Sequence, residues 1–257
     1  MTLHTNPLEQ RRSAAEFVAA LKQGALLGAG VAALCIPLWA TLGPVTPAPW
    51  TQRALTSTAA NTPLTPVTPL IAVDFGAEEA SPDVKHMANW AINSRDNQAL
   101  SFVILDKLNA KVFVFDAAGT LLGASPVLIG AAKGDHSVPA IGERPMHSVQ
   151  EHERTTPAGR FVGEPGRNTN GEDIVWIDYD AAVSMHRVRA TEKSERRLQR
   201  LATPGIEDNR ISYGCVNLPA DFFETVLQPA FNQRHGVIYV LPETKPAREV
   251  FQAAYAA

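Results

Sequence analysis

A glycine followed by a cysteine, late in the chain, restricts the possible folds more than any other feature. Residues 210–219 read Arg-Ile-Ser-Tyr-Gly-Cys-Val-Asn-Leu-Pro, and Cys215 is one of 2 cysteines among 257 residues. Gly214 permits a sharp backbone turn, and Val216 begins an apolar stretch typical of a strand. The stretch therefore predicts a thiol held on a tight turn at the end of a sheet, a position that suits a nucleophile.

A thiol attacks as the thiolate, so it needs a base and polar surroundings that lower its pKa. His186 is the candidate base, and it lies near the end of segment 174–188, which opens with the strand-like run Ile-Val-Trp-Ile. The backbone N–H groups of Tyr213, Gly214 and Cys215 are candidates for an oxyanion hole, because consecutive amides in a tight turn converge. These residues predict acyl transfer through a thioester on Cys215. The alternative is a buried structural thiol.

The motif residues resemble those of a bacterial enzyme family, the YkuD-type L,D-transpeptidases. The matching positions are His186, Ser212, Gly214, Cys215, Val216 and Asn217, together with Thr156-Pro157-Ala158-Gly159-Arg160-Phe161. The resemblance covers about residues 100–243. It implies a mostly β catalytic domain whose cysteine attacks peptidoglycan stem tetrapeptides. D-alanine leaves, an amine of a neighbouring stem resolves the thioester, and no cofactor takes part.

Two departures from the family pattern leave alternatives open. Tyr213 stands where the family has a second histidine, and the spacing between His186 and Cys215 (215 − 186 = 29 residues) exceeds the usual one. The extra length, at residues 191–201, is polar and helix-prone, which predicts an inserted surface helix. If water resolves the thioester, the same residues make an L,D-carboxypeptidase. If Tyr213 inactivates the site, the chain is a peptidoglycan-binding module.

Further site residues follow from the charges around the motif. Ser212, Tyr213, Gly214 and Asn217 are predicted to support the site, and Asn217 is expected to hydrogen-bond the backbone of the motif. Arg210 and Arg187 are predicted to bind substrate, because arginine binds carboxylates through two parallel hydrogen bonds. For Arg210, a structural salt bridge is the alternative.

An apolar run at residues 24–42 follows Arg11, Arg12 and Lys22 and contains no charged residue. Its length is close to the ~20 residues that cross a bilayer as a helix. Residues 1–43 are therefore predicted to be a cytoplasmic stub with a signal peptide or an uncleaved signal anchor. The rest of the chain is expected on the exported side of the inner membrane, in the periplasm. Cys35 lies inside this run as a small apolar side chain, which leaves the exported part with one thiol.

The remaining chain divides by composition and periodicity into one β-rich domain and its appendages. Residues 44–82 are a Pro/Thr-rich linker, 83–98 a helix that leads into the domain, 99–243 the catalytic domain and 244–257 a C-terminal tail or helix. Alternating apolar residues predict a hairpin of strands at 102–105 and 111–115, and a closing strand at 236–241. The fold class is α+β, mostly β with a few helices, and the resemblance implies a YkuD-like β-sandwich.

Composition argues against two other classes of function. The net charge is −3 with both signs interspersed, so nucleic acid is not an expected partner. His136, His147 and His152 are spaced by 11 and 5 residues, which fits no compact zinc pattern, and no metal is predicted. The oligomeric state is not predicted.

Overall fold

The structure is a computed structural model and describes residues 70–232 and 234–256. The predicted signal segment at 1–43, with Cys35, and the linker up to residue 69 lie outside the described residues. Within the described ranges, none of the helices combines the length and the apolar character that spanning a bilayer requires.

The described residues contain ten strands. They are β1 Phe102–Asp106, β2 Lys111–Phe115, β3 Leu121–Pro126, β4 Ile129–Gly130, β5 Gly159–Arg167, β6 Asp173–Asp178, β7 Val183–Arg187, β8 Arg210–Ser212, β9 Val216–Leu218 and β10 Gly236–Val240. The predicted hairpin is confirmed, because β1 and β2 pair antiparallel. The closing strand is confirmed as β10.

Helices are few and mostly short in the same part of the chain. They are α1 Pro82–Asn93, α2 Arg197–Ala202, α3 Ala220–Phe222, a π-helix Phe223–Leu227, α4 Gln228–Phe231, α5 Ala247–Val250 and α6 Gln252–Tyr255. Five 3-10 turns lie at Ile141–Glu143, Met146–Ser148, Glu151–Glu153, Lys193–Glu195 and Glu207–Asn209. α3, the π-helix and α4 follow one another directly and form one helical segment at 220–231. These elements confirm a mixed α+β protein with a large sheet.

Eight strands form one sheet in the order β3-β2-β1-β10-β5-β6-β7-β9, and β4 pairs with β8 in a separate two-stranded sheet. β5 joins the two halves of the large sheet. Its first five residues pair with β10, and its last four pair with β6. β7 and β9 run parallel at one edge, so the segment between them crosses from the end of β7 back to the level at which β7 starts before it enters β9. This edge carries the predicted motif.

Both faces of β1 are covered, which explains why all five of its residues are buried. Val103 and Leu105 belong to one apolar cluster and Phe102 and Ile104 to another, because successive side chains of a strand point to opposite faces. The first cluster also holds residues of β6, β7, β9 and segment 220–231. The second holds α1 and the C-terminal helices. The sheet therefore separates two cores, and the motif edge borders the first.

Helix α1 forms where the sequence predicts a helix, although it ends at Asn93 rather than at residue 98. Ser81 caps its first turn, with its Oγ accepting from the N–H of Val84 at 3.3 Å. Val84, Met87, Ala88 and Ala91 are buried at the spacing of one helical face. The helix stops because Arg95 adopts a φ of 60°, which leaves the right-handed helical region.

Candidate active site

Cys215 lies on the turn between β8 and β9 and is half-buried. Gly214, immediately before it, has a φ of +127°, which side chains other than hydrogen rarely permit. A Cβ at this position would approach the carbonyl oxygen of Thr155 to 2.7 Å. Glycine is therefore required here both by backbone conformation and by space, and the turn fixes the direction of the thiol.

The parallel pairing of β7 with β9 brings the polar residues of both strands onto one face. His186 lies directly opposite Asn217, and the same register continued two residues back puts Ser184 opposite Cys215. Met185, between the two polar residues of β7, belongs to the buried core. Because strand side chains alternate between faces, the other four share the face away from that core. The topology thereby brings together residues about 30 positions apart in the sequence.

The sulfur of Cys215 has polar neighbours. Its Sγ lies 3.8 Å from Ser184 Oγ and donates to the carbonyl oxygen of Ala182 at 3.5 Å. Burial opposes ionisation of the thiol, but the hydrogen bond and the charge of His186, followed by Ser184, outweigh it. The pKa of Cys215 is therefore lowered. This is the condition for a reactive thiol near neutral pH.

The imidazole of His186 has a defined tautomer. Its Nδ1 lies 2.8 Å from the carbonyl oxygen of Arg187, and since a carbonyl only accepts, Nδ1 carries the proton. Nε2, which lies 3.3 Å from Asn217 Nδ2, keeps its lone pair. Burial lowers the pKa of His186, but the hydrogen bond and charge of Cys215 outweigh it and the pKa is raised. The raised imidazole pKa and the lowered thiol pKa both favour a thiolate–imidazolium pair.

Two side chains brace the cysteine turn from within the motif. Ser212 Oγ donates to the carbonyl oxygen of Cys215 at 2.6 Å and accepts from the N–H of Gly214 at 3.1 Å. Asn217 is buried, and its Nδ2 lies 3.5 Å from the same Cys215 oxygen. Its Oδ1 accepts from the guanidinium of Arg197. The expected contact of Asn217 with the motif backbone is present, at the long limit of a hydrogen bond.

The three backbone amides predicted for an oxyanion hole are not equivalent. The N–H of Gly214 is already used by Ser212. Within the described residues, the N–H groups of Tyr213 and Cys215 donate to no protein acceptor. These two amides remain free to bind a developing negative charge beside the sulfur.

The Thr-Pro-Ala-Gly-Arg-Phe element contacts the cysteine turn through Thr156. Thr156 is buried, and its Oγ1 donates to the carbonyl oxygen of Gly214 at 2.8 Å and accepts from the N–H of Gly130 at 2.9 Å. Its own carbonyl accepts from Lys107 Nζ at 2.8 Å. A buried lysine is thereby connected to the cysteine turn through a single threonine.

The two arginines predicted to bind substrate are engaged within the protein. Arg210 forms an ion pair with the buried carboxylate of Glu243, which is the alternative left open by the sequence. Arg187 pairs with Glu224 at 2.8 Å, and its guanidinium lies 4.5 Å from the ring centroid of Phe223. A role for either in substrate binding stays a prediction.

Two residues near the site were missed from the sequence. Ser184 had a signal, since it stands two residues before His186 in a strand, where alternation places both on one face. Arg197 had none, because segment 191–201 was interpreted as a surface helix. α2 begins at Arg197, and this side chain is turned inward to Asn217 and is 13% exposed.

A cavity in the described chain lies outside this site. A cavity of about 800 Å³ contains none of the predicted site residues and is lined by residues of β5, β6 and segment 223–232. Among the described residues, no group of three or more His, Cys, Asp or Glu side chains is arranged to hold a metal ion. His136 instead lies 3.1 Å from Lys245 Nζ.

Fold and site together define a mixed α+β protein with a paired thiol and imidazole at one sheet edge. No family model and no curated protein matches the chain. Among solved structures it is similar to LD transpeptidase LdtMt1 in complex with imipenem, with 16% identity and a TM-score of 0.33 over 55% of this chain and 58% of that one.

Two further solved structures are similar at the same level. The helical cell shape determining protein Pgp2 from Campylobacter jejuni has 13% identity and a TM-score of 0.35, over 60% of this chain and 52% of that one. A fused Zn-dependent amidase/peptidase/peptidoglycan-binding domain-containing protein from Clostridium acetobutylicum has 15% identity and a TM-score of 0.31, over 63% and 64%. The chain spans less than two thirds of each of these proteins. TM-scores below 0.5 establish neither fold nor activity for this chain.

Proposed function

We propose that this chain is an L,D-transpeptidase, a cysteine-dependent acyltransferase that acts on peptidoglycan stem peptides. The observation that carries the proposal is the parallel pairing of β7 with β9, which places His186 and Cys215 at one sheet edge, where the imidazole lowers the pKa of the thiol. A reactive thiol with a base at its side is the minimal machinery for a thioester intermediate.

The proposed reaction uses the thiol, the imidazole and the two free amides at the sheet edge. Nε2 of His186 accepts the thiol proton, and the thiolate of Cys215 attacks the scissile carbonyl carbon. The N–H groups of Tyr213 and Cys215 stabilise the resulting oxyanion. The C–N bond then breaks, the imidazolium returns its proton to the leaving D-alanine amine, and a thioester remains. An acceptor amine attacks this thioester, its proton passes to His186, and the thiolate is restored.

The substrate class and the location rest on the sequence. The motif at 212–217 and the element at 156–161 support peptidoglycan stem peptides through their resemblance to the YkuD-type family and its β-sandwich catalytic domain. The apolar run at 24–42 supports export and association with the inner membrane. Tyr213 departs from the family histidine, and its ring contributes packing rather than a second base in this mechanism.

The proposal is tested by incubating the full chain with a stem tetrapeptide and an amine acceptor and analysing protein and peptides by mass spectrometry. We expect a covalent adduct on Cys215, release of D-alanine and a transfer product, all absent in the Cys215→Ser variant. A tripeptide acid without transfer product would identify a carboxypeptidase instead. If neither adduct nor product forms, the catalytic proposal is wrong and a binding module remains.

A second measurement tests the pair without any substrate. The pH midpoint of Cys215 alkylation by iodoacetamide is compared between the folded chain and the same chain in denaturant. We expect the folded midpoint to be lower, because His186 favours the thiolate. The His186→Gln variant should move the folded midpoint upward. Equal midpoints in folded and unfolded chain would refute the pairing.

A further inference from the structure

A stacked arginine lies beside the cysteine turn. The guanidinium carbon of Arg154 is 4.0 Å from the ring centroid of Tyr213, the residue two positions before Cys215. Its Nε and Nη2 donate to the carbonyl oxygen of Val149 at 3.4 and 3.2 Å. Two contacts, one on the ring face and one on a carbonyl, thus fix the orientation of the guanidinium.

The position of this arginine leaves part of its hydrogen-bonding capacity unused. Nη1 of Arg154 donates to no acceptor in the described part of the chain, although the residue is half-buried. The edge formed by Nη1 and Nη2 is the one that binds a carboxylate through two parallel hydrogen bonds. The geometry therefore presents an oriented anion-binding edge against Tyr213 in the cysteine turn.

The other arginines around the motif are neutralised by carboxylates. Arg187 pairs with Glu224, Arg197 with Glu195, and Arg210 with Glu243. Within residues 70–232 and 234–256, Arg154 has no carboxylate at ion-pairing distance. A partly buried guanidinium without a counterion gains most from an anion supplied by a ligand.

We propose that Arg154, held against Tyr213, binds the C-terminal carboxylate of the acyl donor. This inference rests on the proposed acyl transfer at Cys215. Tyr213 and Cys215 are two residues apart, so their Cα atoms are separated by at most about 7 Å. The carboxylate of a leaving C-terminal residue lies one residue beyond the scissile carbonyl, so its binding site is expected next to the cysteine turn. Tyr213, the departure from the family motif, serves as the platform that orients Arg154.

The test measures binding separately from chemistry. In the Cys215→Ala background, binding of a stem tetrapeptide and of its C-terminal carboxamide is compared with and without Arg154→Gln by calorimetry. We expect Arg154→Gln to weaken tetrapeptide binding by about 10- to 100-fold, as loss of a charge-assisted hydrogen bond does, and to leave carboxamide binding unchanged. Arg154→Lys should be intermediate, since it keeps the charge and loses the fork.

The matched control is Arg248→Gln, which removes an exposed arginine on α5, far along the chain from the motif. It should change neither affinity. Equal weakening of both ligands by Arg154→Gln would assign the residue a structural role and overturn the inference. So would equal tetrapeptide binding with and without Arg154. Acylation of the unmodified chain is measured in parallel, so a failure of the proposed transferase function is seen separately from a failure of carboxylate binding.

Discussion

Replacing Lys107 with methionine is the sharpest test of how the site is supported. The Lys107 side chain is fully buried, and its Nζ donates to Gly134 O at 2.6 Å, Asp135 Oδ1 at 2.8 Å and Thr156 O at 2.8 Å. Glu243 lies 3.5 Å away, with a side chain that is 1% exposed. The ammonium thus uses all three of its protons inside the protein.

The expected magnitude follows from the charges left behind. Lys107 and Arg210 balance the two buried carboxylates of Asp135 and Glu243, so Lys107→Met leaves one negative charge uncompensated. Removing one partner of a buried ion pair costs about 3–5 kcal/mol. Methionine keeps the length of the apolar stem, which limits the contribution of an empty cavity. We expect the free energy of unfolding to fall by about 3–5 kcal/mol, a large share of the 5–15 kcal/mol typical of whole domains.

The assay is urea unfolding of the full chain, followed by tryptophan fluorescence. Lys111→Met is the matched control in the same hairpin, because its ion pair with Glu78 is 24% and 41% exposed and should contribute at most about 1 kcal/mol. The reasoning is refuted if both variants lose the same free energy, or if Lys107→Met loses less than about 1 kcal/mol. A more stable Lys107→Met variant would show that the buried charges are not a stabilising network.

Three further outcomes follow from the site. Burial opposes ionisation of Asp135, but hydrogen bonds from Lys107, Thr244 and two backbone N–H groups hold its pKa at about 2. The lowered pKa contributes on the order of 2 kcal/mol to the free energy of unfolding, a contribution that is present above about pH 4 and lost as the pH falls to about 2. Urea unfolding at stepped pH should show this loss, and Asp135→Asn should abolish it. Gly214→Ala would put a side chain at a φ of +127°, with its Cβ 2.7 Å from the Thr155 carbonyl oxygen. We expect it to lower the free energy of unfolding by about 1–3 kcal/mol and to slow thiol alkylation. Unchanged alkylation would contradict the role of the turn. Arg197→Gln removes a charge that lowers the pKa of His186, so the imidazole pKa measured by NMR should rise, and a fall would contradict this arrangement.

Local patterns were sufficient for much of the fold. The apolar runs of β1 and β2, separated by a short polar turn, predicted a hairpin, because a short apolar run bounded by turn residues is a local signal of a strand. The spacing of Val84, Met87, Trp90 and Ala91 at three and four residues predicted α1 from local pattern as well. The predicted end of α1 was less accurate, because no strong local sequence signal marks the positive φ of Arg95 that stops the helix.

The site was partly predictable for a different reason. Cys215 and His186 were chosen because their chemistry is rare and complementary, and the pairing of β7 with β9 places both at one sheet edge. Arg197 was interpreted as surface, because a helical polar segment carries no information about which neighbour it meets. Arg154 gave no signal either, since its partner Tyr213 lies 59 residues away (213 − 154).

The amino-acid order alone predicted strands β1, β2 and β10, the first helix, the sharp turn at Gly214 and the chemical identity of a thiol and a base. Folding in three dimensions specified that Arg187, Arg197 and Arg210 are neutralised by carboxylates, and it enclosed Lys107 with acidic partners from residues 135 and 243. The contact between Lys107 and Glu243 joins segments 136 residues apart (243 − 107). No local periodicity encodes this contact, because it arises only when β1 and β10 pair side by side and bring their following loops together.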